Sequence, residues 1–435
     1  MGFEWPETEL LNVAKLRSGF SFKSSNWQDE GIPVIKIANV KGGRIQLDGC
    51  GFVSKEVASS VLEWLTRDDD VLIAMTGYVG EVALIRPGER YLINQRVGRF
   101  EFLENSPVCP MFLFYYLQVP EVRAAIEEMA RGSAQPNLSA TDASRMKIPV
   151  APEEVQDAVS KIGRMIDDRI DLLRQTTTTL ETIAQALFKS WFVDFDPVHA
   201  KAEGREPEAM DAATAALFPS EFEDSELGLI PKGWRSLSFG DAATLSKGSV
   251  NPLTTPDTEF EHYSLPAFDV QQMPVHEAGE AIKSNKTPVP SGAVLVSKLN
   301  PHIPRIWPVG EVSANAVCST EFLVWTPKAP ASTVFVHCLA SSQPFNSAMR
   351  QLVTGTSNSH QRVKPDQLKG IQLCAASDAA LKAFATMATP LLQRILNNRQ
   401  QAATLASLRD TLLPRLISGK LRLPEVTEAV EAALV

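Results

Sequence analysis

The 435-residue sequence has no apolar run near the roughly 20 residues that a membrane-spanning helix needs. Its start, Met1-Gly-Phe-Glu-Trp5, lacks the basic and apolar regions of a secretory signal peptide. The five cysteines are scattered, form no Cys-x-x-Cys pair and stand at positions 50, 109, 318, 338 and 374. These absences predict a cytoplasmic protein with reduced thiols and no zinc site.

Sequence motifs of catalysis are missing as well. There is no Gly-x-x-x-x-Gly-Lys-[Ser/Thr] phosphate loop, no His-Glu-x-x-His motif and no Phe-x-Gly-x-Gly cofactor loop. Asn251-Pro-Leu-Thr and Asn300-Pro-His-Ile begin like the Asn-Pro-Pro-aromatic motif of adenine methyltransferases. Both lack the second proline and the aromatic residue that stacks on a flipped base. We therefore expect no catalytic residues, no metal site and no cofactor in this chain.

Positive charge is also scarce, since 42 basic residues stand against 51 acidic ones and the formal net charge is −9. Residues 197–228 account for most of this excess, with two basic and eight acidic residues. Residues 1–151 carry −3 and residues 229–376 carry +2. Because nucleic-acid binders are usually basic where they touch phosphates, this balance argues against tight DNA binding by the chain alone.

Two long helical stretches organise the sequence, Glu153 to Val193 and Asp378 to Ser418. In each stretch a seam residue recurs every seven positions, the spacing of helices that pack along their length. The seam consists of Val159, Ile166, Leu173, Leu180 and Leu187, with Ile162 and Ile183 near the intervening positions, and of Phe384, Leu391, Asn398, Leu405 and Leu412. Asn398 is its polar exception, a device that can fix register. Pro390 predicts a kink or an interruption in the first turns of the second helix. We expect the two helices to pair within one chain.

The two halves of the chain repeat each other. Leu180 to Phe188 aligns with Leu405 to Leu413 at an offset of 225, and Val71 to Gly77 aligns with Val294 to Asn300 at an offset of 223. A repeat of this length indicates two copies of one unit, each a globular domain followed by a long helix. Short β-rich runs alternate with helical segments in each domain, so the predicted fold class is α+β with two mixed α/β domains.

The predicted boundaries follow the repeat and the changes in composition. They are residues 1–151 for the first domain, 152–196 for the first long helix, 197–228 for an acidic linker, 229–376 for the second domain, 377–421 for the second long helix and 422–435 for the tail.

Several segments, taken in order, resemble the specificity subunit of type I restriction-modification systems. They are Ser18-Gly-Phe-Ser-Phe-Lys-Ser-Ser-Asn-Trp27, Gly31 to Asn39, Asp70 to Gly77, Asn94-Gln-Arg-Val97 and Ile230-Pro-Lys-Gly-Trp234. The most specific is Leu408-Arg-Asp-Thr-Leu-Leu-Pro-Arg-Leu-Ile-Ser-Gly-Lys-Leu421, which is typical of the C-terminal helix of that family. The resemblance covers essentially the whole chain.

The resemblance implies a non-catalytic subunit with two target-recognition domains, each reading one half of a split DNA site. It implies an antiparallel coiled coil of the two helices, which sets the unread spacer and docks two modification subunits. Restriction subunits complete the complex, and S-adenosylmethionine, ATP and magnesium belong to the partners.

Candidate DNA contacts are polar side chains presented by loops, because these residue types read base edges. One group is the Gly132 loop and its repeat, with Arg131, Ser133, Gln135, Asn137, Thr356, Asn358, His360, Arg362 and Lys364. A second group is Lys36, Thr76, Tyr78, Asn94, Gln95 and Arg96, with Lys298, Asn300, His302 and Arg305 as its counterpart. The alternative for these loops is an ordinary polar surface, and for Asn39 and Asn94 it is an amide that satisfies its own turn.

Two other functions stay open at this point. The chain could be a coiled-coil scaffold whose duplicated domains bind protein, or a single-chain DNA modification enzyme that the missing motifs disfavour.

Overall fold

A computed structural model of the chain describes residues 4–130, 136–353 and 361–422. The chain divides into two compact units, one of Met1–Ile170 with Leu405–Val435 and the other of Asp171–Thr404. Each unit contains one of the two predicted domains and a part of each long helix.

The first domain contains two four-stranded sheets. Its strands are β1 (Glu7–Glu9), β2 (Ala14–Ser18), β3 (Trp27–Gln28), β4 (Ile32–Ile35), β5 (Val40–Lys41), β6 (Arg44–Ile45), β7 (Gly51–Val53), β8 (Val71–Ala74), β9 (Val82–Leu84), β10 (Leu92–Ile93), β11 (Val97–Phe102) and β12 (Lys147–Pro149). Its helices are α1 (Lys55–Ser60), α2 (Pro110–Leu117), α3 (Pro120–Met129) and α4 (Ala140–Ser144). One sheet has the order β2-β11-β8-β9 and is antiparallel. The other has the order β10-β4-β7-β3, with a parallel pair between β10 and β4.

The first long helix, α5 (Glu153–Phe192), leads into the predicted linker. That segment contains α6 (Asp196–Ala202), α7 (Ala212–Ala215) and β13 (Phe222–Ser225), which pairs with β14 (Gly228–Pro231). It is more ordered than a surface linker, because Val198 and Phe218 are buried. The ring of Phe218 packs edge-on against Trp191.

The second domain also contains two four-stranded sheets. Its further strands are β15 (Arg235–Ser238), β16 (Ala243–Leu245), β17 (Glu259–Tyr263), β18 (Val275–Ala278), β19 (Thr287–Pro288), β20 (Val294–Ser297), β21 (Ile306–Pro308), β22 (Ala316–Cys318), β23 (Phe322–Pro327) and β24 (Gln372–Ala375). Its helices are α8 (Phe239–Ala242), α9 (Leu265–Gln271), α10 (Thr333–Ser341), α11 (Gln343–Gln351) and α12 (Pro365–Lys369). The sheets have the orders β16-β23-β20-β21 and β18-β17-β22-β19.

The repeat is maintained element by element. Strands β8 and β20 begin at positions 71 and 294, helices α2 and α10 at positions 110 and 333, and strands β11 and β23 at positions 97 and 322. The second long helix, α13 (Asp378–Ile417), begins at position 378 where α5 begins at 153, and both have 40 residues. The predicted α+β class with two repeated mixed domains is confirmed.

Local chemistry explains where the elements begin. A proline occupies the first turn of α2 and of α3, where the missing N–H is not needed. The Ser377 hydroxyl accepts the Ala380 N–H at 3.2 Å and caps α13. All four residues of β8 and of β20 are buried, so each strand forms the centre of its domain core.

The two long helices are antiparallel. In the first unit, Arg409 near the end of α13 donates to Asp167 near the start of α5, with Nη1 at 2.5 Å from Oδ1. In the second unit, Phe188 near the end of α5 packs against Phe384 near the start of α13, with ring centroids 6.0 Å apart. Arg399 also donates to Glu181 in this unit. Asn398 is buried, and its amide has no hydrogen-bond partner in the described part of the chain.

Only part of the seven-residue seam is buried: in α5 it is displaced late in the helix, and in α13 Phe384, Asn398 and Leu405 are buried. Val159, Ile166 and Leu173 are buried, but Leu187 is only half-buried and its neighbour Phe188 takes the interior position. Leu391 and Leu412 are likewise displaced by Leu392 and Leu413, and Ile183 is 47% exposed. An α-helix turns every 3.6 residues, so its buried stripe drifts by ~20° per heptad away from a seven-residue repeat.

Helix α13 is continuous through Pro390, so the helix is not interrupted at this position. Proline inside a helix costs about 3 kcal/mol or more. Burial of Ala388 and Leu392 on either side of Pro390 offsets that cost. Among the described residues, no helix is long and apolar enough to span a membrane.

Candidate nucleic-acid interface

Three segments of the first domain that are far apart in sequence meet at the end of β8. Thr76 forms an isolated antiparallel bridge with Asn137. The Leu138 N–H donates to the Met75 carbonyl at 2.8 Å, and the Met75 N–H donates to the Arg96 carbonyl at 3.0 Å. Residues 76–78, 94–96 and 137 therefore lie side by side, and we call them the first loop surface.

The second domain contains the same arrangement. Leu299 forms an isolated antiparallel bridge with Arg362, and the Val363 N–H donates to the Lys298 carbonyl at 3.0 Å. The Lys298 N–H donates to the Glu321 carbonyl at 2.9 Å. These bonds correspond to those of the first domain at the offsets of the sequence repeat. We call residues 298–305, 321 and 362–364 the second loop surface.

The first loop surface presents uncompensated polar groups. Gly77 and Gly80 have φ angles of +72° and +84°, a region that favours glycine, and they bracket Tyr78, which is 59% exposed. Gln95 and Arg96 are exposed in the turn between β10 and β11. No ion pair of the Arg96 guanidinium exists within the described residues. A guanidinium, an amide and a phenol on one surface can donate to phosphates and base edges.

Lys36 and Asn94 connect this surface to the other sheet. The Asn94 N–H donates to the carbonyl of Ile35, the residue before Lys36, at 2.9 Å. The Lys36 ammonium lies 4.5 Å from the centroid of the Trp27 ring, a cation–π distance. Asn39 closes its own turn, since it accepts the Lys36 N–H at 2.9 Å and donates to the Gln46 carbonyl at 2.7 Å. The Asn39 amide therefore satisfies its own turn, as the alternative interpretation expected.

The second loop surface has similar shape but different charge. Arg305 donates twice to Asp269, at 2.6 and 2.8 Å, and Arg362 donates twice to Glu321, at 3.1 and 3.0 Å. The Glu321 carboxylate raises the pKa of Arg362. Bidentate pairs of this kind fix the direction of the guanidinium plane. His302 and Lys364 are exposed on the same surface, and Asn300 has a left-handed φ of +50°.

Sequence reasoning overlooked the acidic partners on this surface. Glu321 occupies the position that corresponds to Arg96 in the first domain, at an offset of 225. Alignment of the repeats at that position would have revealed the change of sign. The first surface therefore carries Arg96, which has no ion pair within the described residues, and the second carries two ion-paired arginines, Arg305 and Arg362.

Six predicted contacts lie outside the described residues, namely Arg131, Ser133, Gln135, Thr356, Asn358 and His360. They belong to the segments that precede Asn137 and Arg362 in the chain. Within the described ranges, no group of three or more His, Cys, Asp or Glu side chains could hold a metal ion.

Comparison with known proteins shows which family this chain is similar to. Residues 3–182 match the family model described as type I restriction modification DNA specificity domain. The chain is 26% identical over 413 residues to the type I restriction enzyme HindI specificity subunit of Haemophilus influenzae, covering 78% of this chain and 85% of that protein. It is 23% identical over 372 residues to the type I restriction enzyme MjaIX specificity subunit of Methanocaldococcus jannaschii, covering 82% and 78%.

A solved structure supports the fold. The S subunit of a type I restriction-modification system from M. genitalium has a TM-score of 0.56 and 15% identity, and it covers 95% of this chain and 96% of its own. Residues 3–182 thus match a type I restriction modification DNA specificity domain, and the chain is similar over most of its length to specificity subunits of type I restriction enzymes.

Proposed function

We propose that each of the two domains reads one half of a bipartite DNA site through its loop surface. The chain is a non-catalytic DNA specificity subunit. The observation that supports the finer proposal is the duplication of one loop arrangement, in which the end of β8 or β20 is bridged to the segment before α4 or α12. Two copies of one reading surface suit a site with two separate halves.

The proposal assigns different chemistry to the two surfaces. The free Arg96 and the exposed Gln95 suit contacts to phosphates and base edges in one half-site. The Arg362–Glu321 pair presents a guanidinium and a carboxylate together, and a carboxylate can accept a hydrogen bond from the cytosine amino group. The two domains are therefore proposed to prefer different half-sites.

The long helices are proposed to set the unread spacer and to dock two modification subunits. A helix of 40 residues is ~60 Å long at ~1.5 Å per residue, and DNA advances ~34 Å per turn. That length corresponds to one to two turns of DNA. Restriction subunits would complete the assembly in the cytoplasm, and S-adenosylmethionine, ATP and magnesium would bind to the partners.

The test uses the methylome of cells that carry this chain and its modification subunit, compared with cells that lack this chain. A split adenine motif that disappears with the chain is the expected result. Gln95→Ala with Arg96→Ala should then relax or abolish only one half of the motif, and Arg362→Ala with Lys364→Ala should affect only the other half. Arg67→Ala is the matched control, since this exposed arginine precedes β8 at the end opposite to Thr76.

Three outcomes would contradict the proposal. Identical methylation with and without the chain would refute the specificity role. Loss of assembly with an unchanged methylated sequence in the loop variants would favour the coiled-coil scaffold. Methyl transfer by the purified chain alone would favour a single-chain modification enzyme.

A further inference from the structure

The contact between domain and helices is built from different chemistry in the two units. In the first unit it includes Tyr115, Gly163, Asp167 and Arg409, which we call the first junction. The corresponding residues of the second unit are Cys338, Ala388, Leu392 and Ala184, which we call the second junction. The domain residues Tyr115 and Cys338 are 223 positions apart, and the three pairs of helix residues are 225 positions apart. These are the offsets of the sequence repeat.

The first junction is a buried polar network. The Tyr115 hydroxyl donates to Asp167 Oδ2 at 2.9 Å, and Arg409 Nη1 donates to Asp167 Oδ1 at 2.5 Å. Tyr115 and Asp167 are 2% and 7% exposed. Burial raises the pKa of Tyr115, and the Asp167 carboxylate adds to this effect, so the phenol keeps its proton and remains a donor. Each oxygen of the buried carboxylate therefore has a partner.

Glycine at position 163 makes room for the tyrosine ring. A Cβ atom at this position would lie 2.3 Å from Tyr115 Cζ, which is closer than side chains approach each other. The second junction has the opposite sizes, because the small Cys338 takes the place of the tyrosine and Ala388 takes the place of the glycine. Within each junction the large and small side chains are therefore complementary, but a residue of one junction does not fit the other junction.

The second junction is apolar. Cys338, Ala388, Leu392 and Ala184 are all buried and belong to one hydrophobic cluster with Phe188 and Phe384. The polar contact of the Cys338 thiol is with the Ala184 carbonyl, at 3.8 Å. None of the four side chains carries a charge at neutral pH, since burial raises the pKa of the Cys338 thiol to about 12.

We propose that the two junctions determine which helix end each domain accepts, so that the first half of the chain pairs with the second half and not with another copy of itself. If two first halves paired, Ala184 would occupy the place of Arg409, and Asp167 would lose the guanidinium that donates to its Oδ1. If two second halves paired, the Arg409 guanidinium would face Leu392 and Cys338. A buried ion that loses its partner is strongly destabilising, whereas a matched pair is tolerated.

The test uses the full chain, cut after purification at a protease site inserted behind Gly204, in the exposed segment that follows α6. Both halves then remain present in equal amounts, and dilution followed by concentration allows them to exchange partners. Native mass spectrometry distinguishes the heterotypic complex from the two homotypic ones by mass. We expect the heterotypic complex to exceed the homotypic ones by roughly a hundredfold. A statistical mixture of the three species would overturn the proposal.

Ala184→Arg provides the gain-of-function variant. The first half then carries both the buried Asp167 carboxylate and a guanidinium at the position that corresponds to Arg409. In a pair of first halves, the guanidinium of each copy can therefore donate to Asp167 of the other. We expect its homotypic fraction to rise at least tenfold above that of the cut wild-type chain, on the order of 1.4 kcal/mol. Thr182→Arg is the matched control, because it adds the same side chain at an exposed position on the same helix. An equal homotypic fraction in the two variants would refute the proposal.

A charge-free variant keeps the proposal testable if Ala184→Arg does not fold. Asp167→Leu combined with Arg409→Leu removes both buried charges and makes the first junction apolar, as the second one is. Homotypic species should then appear in the cut chain. An exclusively heterotypic complex in this folded double variant would show that the ion pair does not select the partner.

Discussion

Gly163→Ala tests the packing of the first junction. Alanine in place of glycine inside a helix stabilises by about 1 kcal/mol in the absence of other contacts. Here the new methyl group would lie 2.3 Å from the Tyr115 ring, whose hydroxyl is fixed by Asp167 at 2.9 Å. Overpacking of a buried site costs about 1–3 kcal/mol of stability. Because the Tyr115 ring cannot move aside, we expect a cost near the upper end of that range. We therefore expect a net loss of about 2 kcal/mol.

Hydrogen exchange followed by mass spectrometry is the suitable assay, because a chain of two compact units need not unfold in one step. It reports the local opening of α2 and of the first turns of α5 separately. A loss of about 2 kcal/mol corresponds to roughly 25-fold faster exchange of these amides, with amides of the second unit unchanged.

Tyr115→Cys is the companion variant, since cysteine stands at the corresponding position of the second junction. In this background Gly163→Ala should become stabilising by about 1 kcal/mol, because the ring is absent and helix propensity remains. Slower or unchanged exchange after Gly163→Ala in the otherwise wild-type chain would refute the packing argument. So would an equal cost in both backgrounds.

Three further predictions follow from the charges and burial of single groups. Arg96→Ala in the assembled complex should weaken DNA binding and reduce the slope of log K against log salt by about 1. Arg362→Ala should change this slope less, because Arg362 is ion-paired with Glu321. Fluorescence anisotropy at several salt concentrations measures both slopes, and equal changes in the two variants would contradict the prediction. Burial, with a contribution from Glu89, raises the pKa of Tyr91 from 10.0 to about 12, so its stabilisation of the first domain is complete below pH 10 and is lost between pH 10 and 12. Base titration followed by circular dichroism should show a smaller loss between pH 10 and 12 in Tyr91→Phe than in the wild type, and an equal loss would contradict the assignment. Burial raises the pKa of Cys318 to about 12, so iodoacetamide at pH 8 should modify the less buried Cys50 first, and equal rates by peptide mass spectrometry would contradict this order.

Sequence patterns predicted the features that repeat along the chain. The helical stretches Glu153 to Val193 and Asp378 to Ser418 agree with α5 and α13 to within one residue at each end, because a periodic apolar pattern over 40 residues has few other solutions. The wider segment boundaries 152–196 and 377–421 extend four residues beyond the C-terminal ends of these helices. The duplication was readable because both halves keep the same buried segments, such as Val71 to Ala74 and Val294 to Ser297. The seam drifted where sequence counting used 3.5 residues per turn and the helix uses 3.6.

The tertiary structure determined which distant residues contact each other. No sequence pattern measures the distance between Thr76 and Asn137, and their bridge makes one surface of two separately predicted groups. The pairing of Arg362 with Glu321 and of Arg409 with Asp167 joins residues 41 and 242 positions apart. Whether a charged side chain is free or neutralised depends on such distant neighbours, and no local pattern encodes it. The sequence by itself determined the repeated architecture and the resemblance to a family, because both follow from order along the chain. Only the folded chain decided which charges are free and which hold a domain to its helices, because burial and partnership are properties of three-dimensional contact.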